Sequence, residues 1–224
     1  MGTAVTFVAR SRALIVASLF AIALPSWAAL PYECGKLQNP YGPYDYTNPI
    51  HKRDKLEIVE IHHFQRFVEA LQIDHRGRPP GGGIDYTLRA FPNHHRALFA
   101  LAQLQSLHTG VGLPHGLKWP TYCYYERAIA FAPEDANAHL LYGIYLTKNG
   151  GSFEEARGHY ERAVAMQPDS AETHYNYGLA LADANQYDAA LEHAQRAYEI
   201  GYPLMGLRDK LVRAGVWREQ RVEE

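Results

Sequence analysis

The chain has 224 residues, of which 47% are apolar and 21% are charged, a composition typical of a folded soluble protein. Its formal charge of −2, with no block of Lys and Arg, argues against a nucleic-acid-binding role. Neither a C-x-x-C nor a C-x-x-C-H motif occurs, so thioredoxin-like redox chemistry and covalent haem attachment have no support.

The first 28 residues predict a secretory signal peptide. Arg10 and Arg12 precede an apolar run of about 12 residues, and a small-x-small cleavage site ends at Ala28. The run is shorter than the about 20 apolar residues that cross a bilayer; the alternative is a buried core helix. We place cleavage after Ala28 and expect an exported protein, periplasmic or secreted. Removing 28 of the 224 residues leaves 196, with a formal charge of −4 and no later apolar stretch of membrane length.

An irregular, Tyr-rich leader is predicted over residues 29–54. The segment Tyr41–Tyr46 contains a Gly-Pro pair and lies between two Asn-Pro pairs, which excludes a regular helix or central strand. We expect it to extend over the folded part and bury its tyrosines. Cys34, in the leader, and Cys123 are the two cysteines, and export favours a disulfide between them. The alternative is that one of them is a small buried apolar residue.

An internal repeat with a period near 34 residues occupies the C-terminal half. The segment Tyr125–Pro133 aligns with Tyr160–Pro168 at an offset of 35, and Gly143 aligns with Gly178 at the same offset. Each unit is typical of two amphipathic helices. A Gly inside a helix costs about 1 kcal/mol relative to Ala. Its recurrence at one register therefore predicts close packing between helices.

These repeats resemble tetratricopeptide repeats. Ala171–Gly178 is similar to the first helix of that family's unit, and Tyr187–Ala197 is similar to the second. A further repeat, with a swollen loop at 109–116, runs from Leu98 to Pro133. The resemblance implies an all-α solenoid of antiparallel helix pairs that acts as a non-enzymatic, protein-binding scaffold. The intermediate repeat matches through Leu141, Gly143, Phe153, Ala156, Tyr160, Ala163 and Pro168.

The resemblance implies three repeats over residues 93–203, which is near the minimum for independent stability. Upstream, a degenerate helical repeat is expected over 55–92, with helices at 55–73 and 85–91. The run of glycines at 81–83 is assigned to their connection. Residues 204–224 are expected to form a capping helix and tail. The apolar stripe of that helix consists of Leu204, Leu207, Leu211 and Val212.

The twelve histidines raise the alternative of a haem- or metal-handling chaperone. The adjacent pairs His62-His63 and His94-His95 point in different directions on a helix, and no zinc-binding spacing occurs. We therefore predict solvated or core histidines, no cofactor and, without a phosphate loop or nucleophile elbow, no enzyme activity. A third candidate function, an accessory subunit of envelope polysaccharide synthesis or export, rests on analogy alone.

The resemblance also implies where a partner binds, namely the wall formed by the first helices of the repeats. Family members that clamp a terminal carboxylate place Lys and Asn there, whereas this sequence has apolar residues. We therefore expect an adaptor or assembly factor that binds a protein or peptide segment with an apolar face. The alternative is that the leader fills this groove. The predicted partner-binding residues are Ala97, Leu101, Leu140, Ile144, Tyr175 and Leu179.

Overall fold

The computed structural model of the protein describes residues 30–217, and every regular element in that range is helical. The predicted signal peptide and its cleavage site at Ala28 lie outside the described residues. None of the described helices is long and apolar enough to cross a membrane. The elements are a 3-10 turn (Tyr32–Cys34), α1 (Pro49–His51), a π-helical turn (Lys52–Leu56), α2 (Glu57–His63), α3 (Arg66–Glu69), α4 (Gly81–Ala90), α5 (His95–Leu107), α6 (Thr121–Phe131), α7 (Ala136–Lys148), α8 (Phe153–Met166), α9 (Ala171–Asp183), α10 (Tyr187–Glu199) and α11 (Gly206–Arg213).

The predicted helical solenoid is confirmed. The pairs α5/α6, α7/α8 and α9/α10 follow one another, and each pair packs on the next. One hydrophobic core extends through them from Phe64 to Leu211. Since a repeat buries its apolar face only against its neighbours, this shared core is what stabilises the array.

The side chains that cap the first helices fix the register of the three pairs. His94 Nδ1 accepts a hydrogen bond from the Ala97 N–H at the start of α5. Asp135 caps α7 and Ser170 caps α9 in the same way. A polar side chain before each helix satisfies backbone N–H groups that have no partner inside the helix. These caps are therefore equivalent positions from which each first helix can be numbered.

The repeated glycines lie at close contacts, as predicted. A Cβ on Gly143 would lie 3.1 Å from the ring of Tyr160, and one on Gly178 would lie 2.6 Å from Leu207 Cδ2. The Gly178 Cβ would also lie 3.4 Å from the carbonyl oxygen of Ala190, on the second helix of the same pair. Glycine thus allows each first helix to approach its neighbours.

The N-terminal helices depart from the prediction of one helix over 55–73. Helical structure begins earlier, at Pro49, where Asn48 caps the first turn and Pro occupies its favoured first position. It breaks at Phe64, whose φ of −131° leaves the helical region. The break redirects the chain: Val59 packs in a small cluster beside the leader, whereas Phe64 and Val68 enter the main core.

The glycine run at 81–83 is the first turn of α4, and its assignment to a connecting loop was wrong. A Cβ on Gly81 would lie 2.2 Å from the His115 carbonyl oxygen, and one on Gly83 would lie 2.4 Å from that of His63. Two backbone segments approach α4 so closely that only glycine fits. The run is thus explained by packing between distant segments, which no local pattern reveals.

The leader packs mainly on α4 and α6 and reaches the start of α5, where the Tyr46 ring lies 4.4 and 4.9 Å from those of His94 and His95. None of its described residues lines the cavities along the first helices, so the alternative that it fills the groove was wrong. The Tyr44 N–H donates to the Ala90 carbonyl at the end of α4. A disulfide joins Cys34 to Cys123 on α6, with Cα atoms 5.0 Å apart. The buried Arg127 donates to the carbonyl oxygens of Cys34 and Lys36 at 3.1 and 2.8 Å.

At the other end, α11 packs against α9 and α10. Leu207 and Leu211 are fully buried and close the core, as predicted for a capping helix. Leu204 and Val212 were assigned to the same stripe, but they are 55% and 53% exposed. Leu204 precedes the helix, and Val212 follows directly after Leu211, so it points to another side.

Candidate functional site

The surface formed by the first helices contains two cavities that meet at Phe99; together we call them the groove. The apolar pocket, of about 580 Å³, lies among α5, α7 and the chain that follows α3. The polar pocket, of about 350 Å³, lies toward the beginnings of α5, α7 and α9. The apolar pocket is lined by Ala70, Leu71, Phe99, Ala102, Gln103, Ser106, Leu107, Ile144 and Lys148. The polar pocket is lined by Glu69, His95, Arg96, Phe99, Asn137, Leu140, Leu141 and Glu172.

Large apolar side chains are left open to solvent in the groove. Phe99 is 49% exposed and Leu107 is 70% exposed, both on α5. Leu71 and Ile144, half-buried, complete the same pocket. Single exposed apolar residues are ordinary on a protein surface, but several around one concavity are typical of a binding site.

The predicted residues of α7 reach this surface. Ile144 lines the apolar pocket, and Leu140 lines the polar pocket although most of its surface is buried. Leu179 on α9 is half-buried and lies against the core beyond both pockets. Whether these residues contact a partner stays a prediction.

Ala97 and Leu101 are fully buried in the core, and their placement on the open wall was wrong. The reason is a register error of two residues on α5. Counted from the capping residues, Phe99 is five positions after His94, as Leu140 is after Asp135. The equivalent residues on α5 are thus Phe99 and Gln103, and both line the groove. The capping residues are a sequence signal that would have given this register.

Tyr175 is also covered, with 7% of its surface exposed. Its ring lies 4.4 Å from that of Tyr202, in the segment between α10 and α11. A Cβ on Gly206 would lie 2.9 Å from the Tyr175 hydroxyl oxygen. The chain that leads to the capping helix therefore closes the groove at the last repeat. The prediction of Tyr175 as a solvent-open anchor was wrong because it left out this segment.

Charges in the polar pocket are largely compensated. Arg96 donates to Glu60 at 3.0 Å and to Glu69 at 2.5 and 2.8 Å. The hydrogen bonds to Glu69 raise the pKa of Arg96. The same hydrogen bonds hold the pKa of Glu69 below its usual range. Lys148 in the apolar pocket differs, because it is exposed and makes no ion pair with any residue in 30–217.

A buried histidine pair lies inside the α7/α8 repeat. His139 Nε2 lies 3.2 Å from the Pro133 carbonyl oxygen, and His139 Nδ1 lies 3.1 Å from His159 Nδ1. The carbonyl can only accept, so His139 Nε2 donates to it. Burial lowers the pKa of both histidines and thereby favours their neutral rings, and in a neutral His139 the Nδ1 atom accepts from the Nδ1–H of His159.

The same arrangement recurs one repeat later. His174 and His193 join through Nδ1 atoms 2.8 Å apart, and His174 Nε2 lies 2.9 Å from the Pro168 carbonyl oxygen. Burial, together with the neighbouring imidazole, lowers the pKa of His159 to about 3 and that of His193 to about 4. The pairs thus serve the core, as predicted for the histidines, although the pairing itself was missed.

Other histidines are held in similar ways. His94 is buried with its Nε2 3.0 Å from Glu60, and His95 Nε2 lies 2.8 Å from Asp135. His63 stacks on Tyr86 with ring centroids 3.6 Å apart. Among residues 30–217, no group of three or more His, Cys, Asp and Glu side chains is placed to hold a metal ion.

Comparison with known proteins gives one family. A family model described as tetratricopeptide repeat matches residues 148–203. The matched segment spans α8, α9 and α10, and it contains the second histidine pair and the stack of Tyr160 on Tyr177. No curated protein matches the chain.

Proposed function

Because the chain is a tetratricopeptide-repeat protein, we propose that it is a non-enzymatic adaptor or assembly factor that binds a partner protein in the groove. The observation that carries this proposal is the open apolar pocket around Phe99, Leu107 and Ile144. Repeat arrays of this kind present extended concave surfaces to their partners. A half-exposed aromatic side chain at the centre of such a surface is a typical anchor.

We also propose that the protein acts outside the cytoplasm, in the periplasm or after secretion. The signal-peptide pattern that ends at Ala28 supports this location. The Cys34–Cys123 disulfide fits it, since disulfides persist in oxidising compartments. Mass spectrometry of the protein from the cell envelope should find Ala29 as the first residue. An intact Met1 in that fraction would contradict the proposal.

The other candidate functions have no observation in their favour. A haem- or metal-handling chaperone would use histidines that converge on one ligand, whereas eight of those described make hydrogen bonds to neighbouring groups of the protein. A role in polysaccharide synthesis or export has no residue that supports it. The eight histidines are His51, His75, His94, His95, His139, His159, His174 and His193.

Site-specific crosslinking in the producing cells tests the groove. A photoreactive amino acid is placed at Leu107 in the apolar pocket and, as a matched control, at Ala165, which is exposed on second helix α8. We expect a discrete crosslinked product from position 107 and none from 165. The product should disappear when Phe99→Glu is added, since that change puts a charge in the pocket. Equal crosslinking from both positions, or no effect of Phe99→Glu, would exclude the groove.

A further inference from the structure

We propose that the groove selects its partner segment by polarity: an apolar side chain fills the apolar pocket beside Leu71, and an acidic residue next to it faces Lys148. The proposal rests on the proposed function and specifies the chemistry of the partner. Two independent observations lead to it. One is the backbone conformation at Leu71, and the other is the charge of Lys148.

Leu71 holds a backbone conformation that its side chain disfavours. Its φ is +57°, in the left-handed region that is costly for residues other than Gly and Asn. The residue closes α3: its N–H donates to the Val68 carbonyl, and the next N–H, of Gln72, donates to the Phe67 carbonyl at 2.8 Å. This is the usual hydrogen-bond pattern of a helix that ends in a left-handed residue.

Other helix ends in the protein show what normally occupies this position. The same pair of hydrogen bonds closes α9 at Asn185, α10 at Gly201 and α11 at Gly215, all with positive φ. Those residues adopt the conformation at little cost. Leu71 is the one large apolar residue in this set, and its side chain lines the apolar pocket. Of these four helix ends, only the one at Leu71 bears this conformational cost, and there the side chain forms the wall of a cavity. This combination indicates that Leu71 has a role in binding.

Lys148 supplies the polarity. It lies at the C-terminal end of α7, lines the same pocket and has no acidic partner among residues 30–217. The exposed Glu172 lines the polar pocket at the other end of the groove, beside Asn137. Asn137 and Lys148 are eleven residues apart on one helix, which is about 17 Å. A segment of roughly five extended residues spans that distance, with an acid at the Lys148 end and a base at the Glu172 end.

Selection from a phage-displayed library of random dodecapeptides on the immobilised full chain tests the inference without a known partner. We expect enriched peptides in which a large apolar residue lies within a few positions of an Asp or Glu. The synthesised best peptide is then titrated by fluorescence anisotropy. Lys148→Glu should weaken its binding about tenfold, the effect of reversing one charge contact at a partly desolvated site.

Two pairs of variants control for indirect effects. Lys36→Glu makes the same change in net charge on the leader, away from the groove, and should alter affinity less than about twofold. Leu71→Asn keeps a residue that tolerates the left-handed conformation but removes the apolar wall, and should weaken binding about tenfold. Asn185→Gly changes an equivalent helix end outside the groove and should have no effect on binding.

The outcomes separate this inference from the proposed function. Apolar peptides without acidic residues, bound equally well by Lys148→Glu, would refute the polarity and leave groove binding in place. Unchanged binding by a folded Leu71→Asn variant would refute the role of Leu71. If no peptide is enriched over a blank surface, the inference fails, and the crosslinking from Leu107 still decides the proposed function by itself.

Discussion

Within residues 136–217 the same contacts occur twice, whereas within residues 30–131 contacts between distant segments hold an irregular arrangement together. Tyrosine stacks link each regular repeat to the helix before it: Tyr142 lies on Tyr125 of α6, and Tyr177 lies on Tyr160 of α8, with ring centroids 5.2 and 5.1 Å apart. The histidine pairs recur as well, and Gly143 and Gly178 both lie at close contacts, the first with Tyr160 and the second with Leu207. Each repeat is thus stabilised by its neighbours through one set of local contacts.

The N-terminal part depends on contacts that are far apart in sequence. The disulfide joins residues 89 positions apart, and Arg127, on α6, holds the leader backbone. Asn93 accepts a hydrogen bond from the Tyr46 N–H, and its amide donates to Asp135, the cap of α7. The part of the chain that departs from the repeat pattern is therefore held by contacts between distant residues, most of which involve the leader.

Equivalent positions make the difference explicit. The regular repeats have His139 paired with His159, whereas the first repeat has Leu98 and Tyr124 at these two positions. The Tyr124 hydroxyl donates to Asp85 on α4 at 2.6 Å. In the regular repeats the residue at the position of Tyr124 is a histidine that hydrogen-bonds within its own pair of helices. In the first repeat Tyr124 instead hydrogen-bonds to the irregular region before it.

Removal of the disulfide should have the largest effect and would act on the N-terminal part. Loss of a crosslink that closes a loop of 89 residues costs about 4.5 kcal/mol in the chain-entropy account. Cys34→Ala/Cys123→Ala should therefore lower the free energy of unfolding by about that amount in urea titrations.

Hydrogen exchange on the same variant locates the loss. Faster exchange is expected in the leader and α6, with α9 and α10 changed only through global unfolding. If α9 and α10 lose local protection equally, the two parts form a single cooperative unit and the comparison fails.

Acid should destabilise the protein through the histidine pairs. The folded-state pKa values of His159 and His193, about 3 and 4, lie below the usual 6.5, so the folded protein binds fewer protons than the unfolded chain. Their contribution to the free energy of unfolding is complete above about pH 6.5 and is lost as the pH falls toward the folded-state pKa values. At pH 5 the loss is about 2 kcal/mol for His159 and about 1 for the more exposed, solvent-screened His193.

A double variant isolates this contribution. His139→Leu/His159→Leu replaces one pair by apolar residues and should remove about 2 kcal/mol of the loss between pH 7.5 and pH 5. Urea unfolding at the two pH values, followed by circular dichroism, measures the difference. Equal losses in the variant and the unchanged protein would mean that the pairs are not the source of acid sensitivity.

Gly178→Leu should cost about 2 kcal/mol or more by overpacking the contact between α9 and the capping helix. The reason is that even a Cβ at this position would lie 2.6 Å from Leu207 Cδ2. Adding Leu207→Ala makes room, so the double variant should lose less stability than the two single variants together. Additive losses in thermal unfolding would show that the two positions do not compete for space.

The sequence predicted the part of the fold that repeats and much less of the part that does not. Gly143 and Gly178 could be assigned to close contacts because their register recurs. The glycines at 81–83 could not, since the backbone they approach is distant in sequence. In the groove, the residues predicted on α7 line the pockets, whereas those predicted on α5 were two positions out of register. The long loop after α5 interrupts the repeat period, so the alignment from α6 backwards fails, but the distance from each capping residue to the groove residues is unchanged. Tyr175 was misplaced because its cover, Tyr202, belongs to no repeat.

The smallest effect is expected at Gly158, which aligns in the repeat with Cys123. In the first repeat this position carries the disulfide to the leader, whereas a Cβ on Gly158 would meet nothing within 4 Å. Gly158→Ala should therefore raise the free energy of unfolding by about 0.5–1 kcal/mol, because Ala has the higher helix propensity. Gly143→Ala is the matched control, where a Cβ would lie 3.1 Å from Tyr160 and no gain is expected. If urea unfolding shows no increase in the free energy of unfolding for Gly158→Ala either, this face of α8 is covered in solution. A covered face on α8 would mean that contact with the leader at Cys123 is not what distinguishes the first repeat from the regular ones.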